Sequence, residues 1–337
     1  MRRVTSSSTT NSSWRTGRDS TLPMGERTMS TSSWTTTTSQ LDTANNEGIF
    51  FTSLNPLAPI TVVLLHVGMS SHMEWSHTWP KLSEYHLLIP DLPQHSRSRH
   101  IKPFSFSLAA DHVAQMIKEH AHDGRAHIVG LSTGGFVGLE LIKLYPEVVS
   151  SAFLSGATPL KDLWKTLNSQ PKLSYLGLSV LLHSPKSLLL KATGWSPEFQ
   201  NEELLKEIKR NNTPRLYETI ARETGNWSRS DMVEVGKKDK RIALIAGGKQ
   251  DNVEGTRDMG QLLESLGSND GRESRAFVVP DAIHAWNLQL PLLFAKGVRA
   301  WIEKTPLPEA FAPLEKGIML EASPSSSKAD DHGSFSH

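Results

Sequence analysis

From residue 60 to residue 304 the chain alternates short apolar runs with longer segments whose apolar residues recur every three to four positions, which narrows the possible folds sharply. ITVVLLHV (60–67), HLLIPD (86–91), AHIVGL (126–131), VVSSAFLSG (148–156), RIALIAGG (241–248) and SRAFVVPD (274–281) are short and evenly apolar, and read as buried strands. LAADHVAQMIKEHAH (108–122), GFVGLELIKLYP (135–146), TRDMGQLLESLG (256–267) and LQLPLLFAKGVRAWIEK (288–304) have helical spacing. Strands alternating with helices predict an α/β fold, a mostly parallel, doubly wound sheet covered by helices on both faces.

Composition removes several function classes. With 337 residues and a formal net charge of +1, nothing points to nucleic acid as a partner. Cysteine is absent, which excludes disulfides, thiolate metal sites and a cysteine nucleophile. The most apolar tracts, 176–193 and 283–302, are interrupted by Lys, Pro, His or Asn, so a membrane span is not expected. Residues 1–45 are rich in Ser, Thr and Asn and nearly free of aliphatic side chains, and are expected to be disordered. Their five arginines against two acids within the first 27 residues faintly resemble a mitochondrial transit peptide. No apolar secretory core accompanies them. A dispensable tail, or an extension upstream of a start at Met24 or Met29, is the simpler reading, and the expected location is cytoplasmic. Segments 46–157 and 229–305 then form two parts of one core, 158–228 is a helical interruption, and 306–337 is a mostly disordered extension.

The junction at HIVGLSTGGFVGLEL (127–141) is the chemical centre of this pattern. A serine on a tight strand-to-helix turn is forced into strained backbone, tolerated only where small neighbours let strand and helix approach. Gly130 and Gly134 supply that room, so Ser132 would project from the sheet edge with the Thr133 amide beside it at a helix N-terminus. Such a serine needs a histidine to take its proton and a carboxylate to orient the imidazole, in loops after later strands and in the order acid, histidine. KQDN after RIALIAGG offers Asp251, and DAIHAWN after SRAFVVP offers His284. Asp258 and Asp281 are the alternative acids.

These stations carry a family resemblance over about residues 48–303. LLHVGMSSHMEW resembles the strand and oxyanion loop of alpha/beta-hydrolase fold enzymes, LLIPDLPQHSRS their Asp-x-x-Gly-x-Gly-x-Ser loop, GLSTGG their nucleophile elbow, and DAIHAWN their Gly-x-Gly-His loop. The resemblance implies that Gly68 or Met69 supplies a second oxyanion amide beside that of Thr133. It also implies that 158–228 is a helical cap which builds most of the substrate pocket. Val67, Gln94 and Ser96 stand where the family has glycines, and Ala282-Ile283 replace the small residues before its histidine. Met73, Trp75 and Trp286 are candidate substrate contacts.

The expected activity is that of a serine hydrolase of a small carboxylic ester, thioester or lactone, working without a cofactor. Acyl transfer or cyclisation on the same triad, and a catalytically silent binding module, are the alternatives. His66, His72 and His77, with Glu74, do not form a recognisable metal-ligand spacing, so no metal is expected. The NNT and NWS sequons are idle without a secretory signal.

Overall fold

The computed structural model describes residues 36–37, 48–158, 171–196, 201–267 and 274–314. Among the described residues nine strands form one sheet: β1 (Thr36–Thr37), β2 (Phe51–Leu54), β3 (Thr61–Leu65), β4 (His86–Pro90), β5 (Ala126–Leu131), β6 (Val149–Ser155), β7 (Ile242–Gly247), β8 (Arg275–Val279) and β9 (Ala312–Pro313). The spatial order is β1-β2-β4-β3-β5-β6-β7-β8-β9. Strands β3 to β8 run parallel, and β1, β2 and β9 pair antiparallel at the edges. The chain steps outward from β3 to β4 and then returns to place β5 on the other side of β3. That reversal leaves a crevice beyond the carboxyl ends of β3 and β5, where ligands of open parallel sheets bind.

Alternation along the strands divides the core into two layers. Val63 and Leu65 of β3 face a cluster with helices α1 (Phe106–His120), α2 (Thr133–Leu144), α7 (Arg229–Gly236) and α8 (Val253–Leu266). Val62 and Leu64 face a second cluster with α10 (Pro291–Glu303), Trp75 and Trp286. Among the described residues the helices between β6 and β7 include α3 (Pro171–Leu182), α4 (Lys186–Thr193), α5 (Glu202–Asn211) and α6 (Pro214–Asn226), a helical insertion termed the cap. Leu182, Leu204 and Ile208 pack there with Leu288 of the core.

Differences from the sequence reading have local causes. The helix expected over 288–304 is two helices, α9 (Trp286–Gln289) and α10, because Pro291 opens the second and Leu290 adopts non-helical angles. Thr36–Thr37 pair with Leu54 and Ser53 inside the stretch expected to be structureless, and the rest of 1–47 lies outside the described residues. Strand β2 carries too mixed a pattern, FTSL, to stand out. In the carboxyl-terminal extension Phe311 and Leu314 are buried and flank β9. Among the described residues no helix is long and apolar enough to cross a membrane.

Candidate active site

Ser132 sits at the turn between β5 and α2 with φ 53° and ψ −117°, a conformation that side-chain-bearing residues rarely adopt. Its amide donates to the carbonyl of Ser155 at 2.8 Å, and its own carbonyl accepts from Phe136 N at 3.0 Å. The flanking glycines are required by space. A Cβ on Gly134 would lie 2.2 Å from the Leu65 carbonyl oxygen, and one on Gly130 would lie 2.5 Å from that of Gly134. Backbone atoms cannot yield as a flexible side chain would, so strand and helix meet this closely only through glycine.

Thr133 opens α2, which leaves its amide among the unpaired donors of a helix N-terminus. The loop after β3 packs directly against it, since a Cβ on Gly68 would come within 2.9 Å of Thr133 Oγ1. Of the two residues expected to supply a second oxyanion amide, the structure separates one from the other. Met69 N–H donates to His95 Nε2 at 3.1 Å and is therefore occupied. The Gly68 amide has no hydrogen-bond partner among the described residues.

His284, after β8, points its Nδ1 at Asp251 Oδ1, 2.5 Å away. The second carboxyl oxygen of Asp251 accepts from the Gly247 amide at 2.7 Å, and His284 N donates to Gln250 Oε1 at 2.9 Å. The carboxylate therefore holds Nδ1–H, leaving the Nε2 lone pair free. Burial alone would lower the His284 pKa, but the charge and hydrogen bond of Asp251, with a contribution from Glu74, raise it above the ordinary value.

Two residues that the sequence reading left without a role complete this corner. Gly156 follows β6 at φ 62°, and a Cβ there would sit 2.7 Å from His284 Cε1. Any side chain at this position would displace the imidazole. Its only sequence signal is a glycine directly after a strand. Gln250 fixes the backbone of His284 from the preceding loop, a contact that no sequence pattern announces.

Ser132, Thr133, Gly68, Asp251 and His284 line one cavity of about 500 Å³. The cap supplies much of its remaining wall, including Leu178, Trp195, Tyr217 and Ile220. Among the described residues lining it, Asp251 and His284 are the ionisable groups apart from the Tyr217 phenol, and the surface is mostly apolar. The candidate contacts Met73, Trp75 and Trp286 are not among the residues lining this cavity. Trp75 and Trp286 are fully buried in the core, where Trp286 Nε1 donates to Ser155 Oγ at 2.8 Å. Met73 packs at the junction of cap and core.

The three sequence histidines considered as metal ligands are held apart by other work. His66 donates from Nδ1 to the Val67 carbonyl and accepts at Nε2 from Leu92 N, while His72 pairs with Asp91 at 2.8 Å. His77, at the end of the 3-10 helix His72–His77, lines a separate surface groove with Lys81 and Lys296.

Residues 60–179 match the family described as alpha/beta hydrolase fold. An AB hydrolase superfamily protein of Gibberella zeae is 27% identical over 277 residues, spanning 78% of this chain and 86% of that protein. A pimeloyl-[acyl-carrier protein] methyl ester esterase of Neisseria meningitidis is 34% identical over 104 residues, 30% of this chain and 38% of that protein. A crystal structure of a hydrolase from Pseudomonas aeruginosa superposes with a TM-score of 0.56 at 15% identity, covering 81% of this chain and 99% of that one. The chain is thus similar in sequence over residues 60–179 to the alpha/beta hydrolase fold family, and shares its fold with solved hydrolases.

Proposed function

We propose that the protein is a serine hydrolase of uncharged, largely apolar small molecules carrying a carboxylic ester, thioester or lactone. Ser132 Oγ attacks the carbonyl, and His284 Nε2 takes the hydroxyl proton and later returns it to the leaving oxygen or sulfur. Asp251 orients the imidazole and stabilises its cation. The amides of Thr133 and Gly68 receive the developing oxyanion, and water then releases the acyl group from Ser132 by the same steps in reverse. The observation that carries this reading is the strained Ser132 turn facing the same cavity as the His284–Asp251 pair. The mostly apolar lining, without a lysine, arginine or glutamate among the described residues, favours an uncharged substrate. The esterase name of the Neisseria relative supports ester chemistry.

Covalent labelling by a fluorophosphonate, read by intact mass, with hydrolysis of a short and a long p-nitrophenyl ester, tests the proposal. Parent protein should label once and turn over ester, and Ser132→Ala should do neither, losing at least about a thousandfold in kcat while remaining folded. A Ser132→Ala variant that hydrolyses as fast as the parent would sink the reading.

A further inference from the structure

We propose that Glu74 is a positioning residue of this site, its two carboxyl oxygens tying the loop that carries the Gly68 amide to the helix that follows His284. The inference rests on the triad reading above. Glu74 lies in a short 3-10 helix, His72–His77, and is fully buried. Its Oε2 accepts from Val67 N at 3.1 Å, one residue before Gly68. Its Oε1 accepts from Asn287 Nδ2 at 2.8 Å, three residues after His284. Asn287 is itself fully buried, and its neighbour Trp286 donates to Ser155, whose carbonyl holds the Ser132 amide. The path from the elbow through Ser155, Trp286 and Asn287 to Glu74 and Val67 is a closed set of contacts behind the oxyanion amides.

A buried carboxyl is a costly way to join two loops, because a neutral amide could make the same contacts without burying charge. The acid brings a field that an amide lacks. Burial pushes the Glu74 carboxyl up to about 7, although Ser70, Asn287, the Val67 amide and His284 all favour its charged form. Of these neighbours His284 is the ionisable one, and the Glu74 charge in turn raises the affinity of His284 for a proton, after Asp251. Glu74 thereby adjusts the pH at which the proposed base is free to act.

The test is the second-order rate of fluorophosphonate labelling of the full chain as a function of pH, with thermal melts alongside. Glu74→Gln keeps the shape and removes the charge, since Asn287 can turn its unpartnered Oδ1 toward the new amide. Its plateau rate should stay within about threefold of the parent while the acidic midpoint falls by about half a pH unit or more. Glu74→Ala removes the tie, and its plateau should fall at least about tenfold. Where Glu74→Ala does not fold, Asn287→Ala cuts one end of the same tie and should lower the plateau in the same direction. A folded Glu74→Ala or Asn287→Ala with the parental plateau overturns the proposal, as does a Glu74→Gln midpoint that does not move. Failure of the parent to label at all sinks the triad reading instead.

Discussion

At Gly130 and Gly134 in the elbow, an added Cβ would lie 2.5 and 2.2 Å from backbone atoms of neighbouring segments, whereas Gln94 and Ser96, in the loop after β4, carry full side chains at φ 65° and 40°. The alpha/beta-hydrolase family resembled by both loops has glycine in each. The difference separates two reasons for a glycine. In the elbow there is no space, and no substitution can create it without parting strand from helix. In the second loop there is space and only the backbone conformation is unfavourable, a cost of about 1–2 kcal/mol that other contacts can offset. The contacts are present. Gln94 Oε1 accepts from Phe104 N at 2.8 Å, and Ser96 shares two bonds with Asn211 at the end of α5, its amide donating to Oδ1 at 2.8 Å and its hydroxyl accepting from Nδ2 at 2.9 Å. Asn211 Nδ2 also donates to the Ser70 carbonyl at 2.8 Å, so the residue that compensates the loop also fastens the cap to the core.

The largest effect should therefore come from Gly134→Ala. A methyl group within 2.2 Å of the Leu65 carbonyl oxygen must move β3 or α2, and more than about 4 kcal/mol of stability should be lost. Soluble yield and urea unfolding measure it. An alanine variant of parental stability would show that the elbow is held by conformation and not by space.

Next is Asn211→Ala, which strands the buried Ser96 amide and Ser70 carbonyl and should cost about 3 kcal/mol. Hydrogen exchange should rise chiefly in α5 and α6, because the anchor belongs to the cap. Asn201, at the other end of α5, bonds Ser76 Oγ at 2.7 Å and the Met73 carbonyl at 3.2 Å, and provides the control. Uniform exchange throughout the core after Asn211→Ala would contradict an anchor local to the cap.

The unequal legibility of these parts follows from the same physics. Strands β3 to β8 are continuous apolar runs because both faces are covered, and the elbow glycines are fixed by backbone collisions that tolerate no variant. Asp251 and His284 stood out as candidates because each lies in the loop after such a strand, within five residues of its end. Asn211 and Glu74 could not, for the side chains they bond, Ser96 and Asn287, lie 115 and 213 residues away and one polar letter inside a helical pattern carries no sign of burial. For Trp75 and Trp286 the sequence leaves substrate contact and core packing equally open, because nearness to a functional loop does not say which face of the sheet a ring will join; both rings lie buried in the core.

The loop after β4 also predicts a response to acid. His66 and His95 are buried, each accepting a backbone amide at Nε2 and directing Nδ1 at a carbonyl, so neither has room for a second proton. Burial, the chief cause, lowers their pKa values to about 3 and about 4. Folded values below the unfolded 6.5 mean stability that is present above pH 6.5 and lost as pH falls toward them. Each histidine should forfeit about 2 kcal/mol between pH 6.5 and 5. Glu74, raised to about 7, works in the opposite direction over that range, so the informative quantity is the difference between parent and His95→Gln. The glutamine variant should lose less stability on acidification, by urea midpoints at pH 7 and 5, and equal slopes would remove His95 from the account.

The smallest effect should belong to Ser96→Gly, which restores the residue the family has at this turn. Glycine relieves the strain at φ 40°, worth about 1 kcal/mol, but gives up the hydroxyl bond to Asn211 and gains freedom in the unfolded chain, each of similar size. The net change should lie within about 1 kcal/mol of zero. The sign becomes diagnostic in a second background. Once Asn211→Ala has removed the partner, the serine hydroxyl offsets nothing and only its strain remains, so Ser96→Gly should be more favourable there than in the parent by about 1 kcal/mol. If the two effects are equal, the hydroxyl bond does not compensate the turn, and the contrast with the elbow reduces to a difference in free space alone.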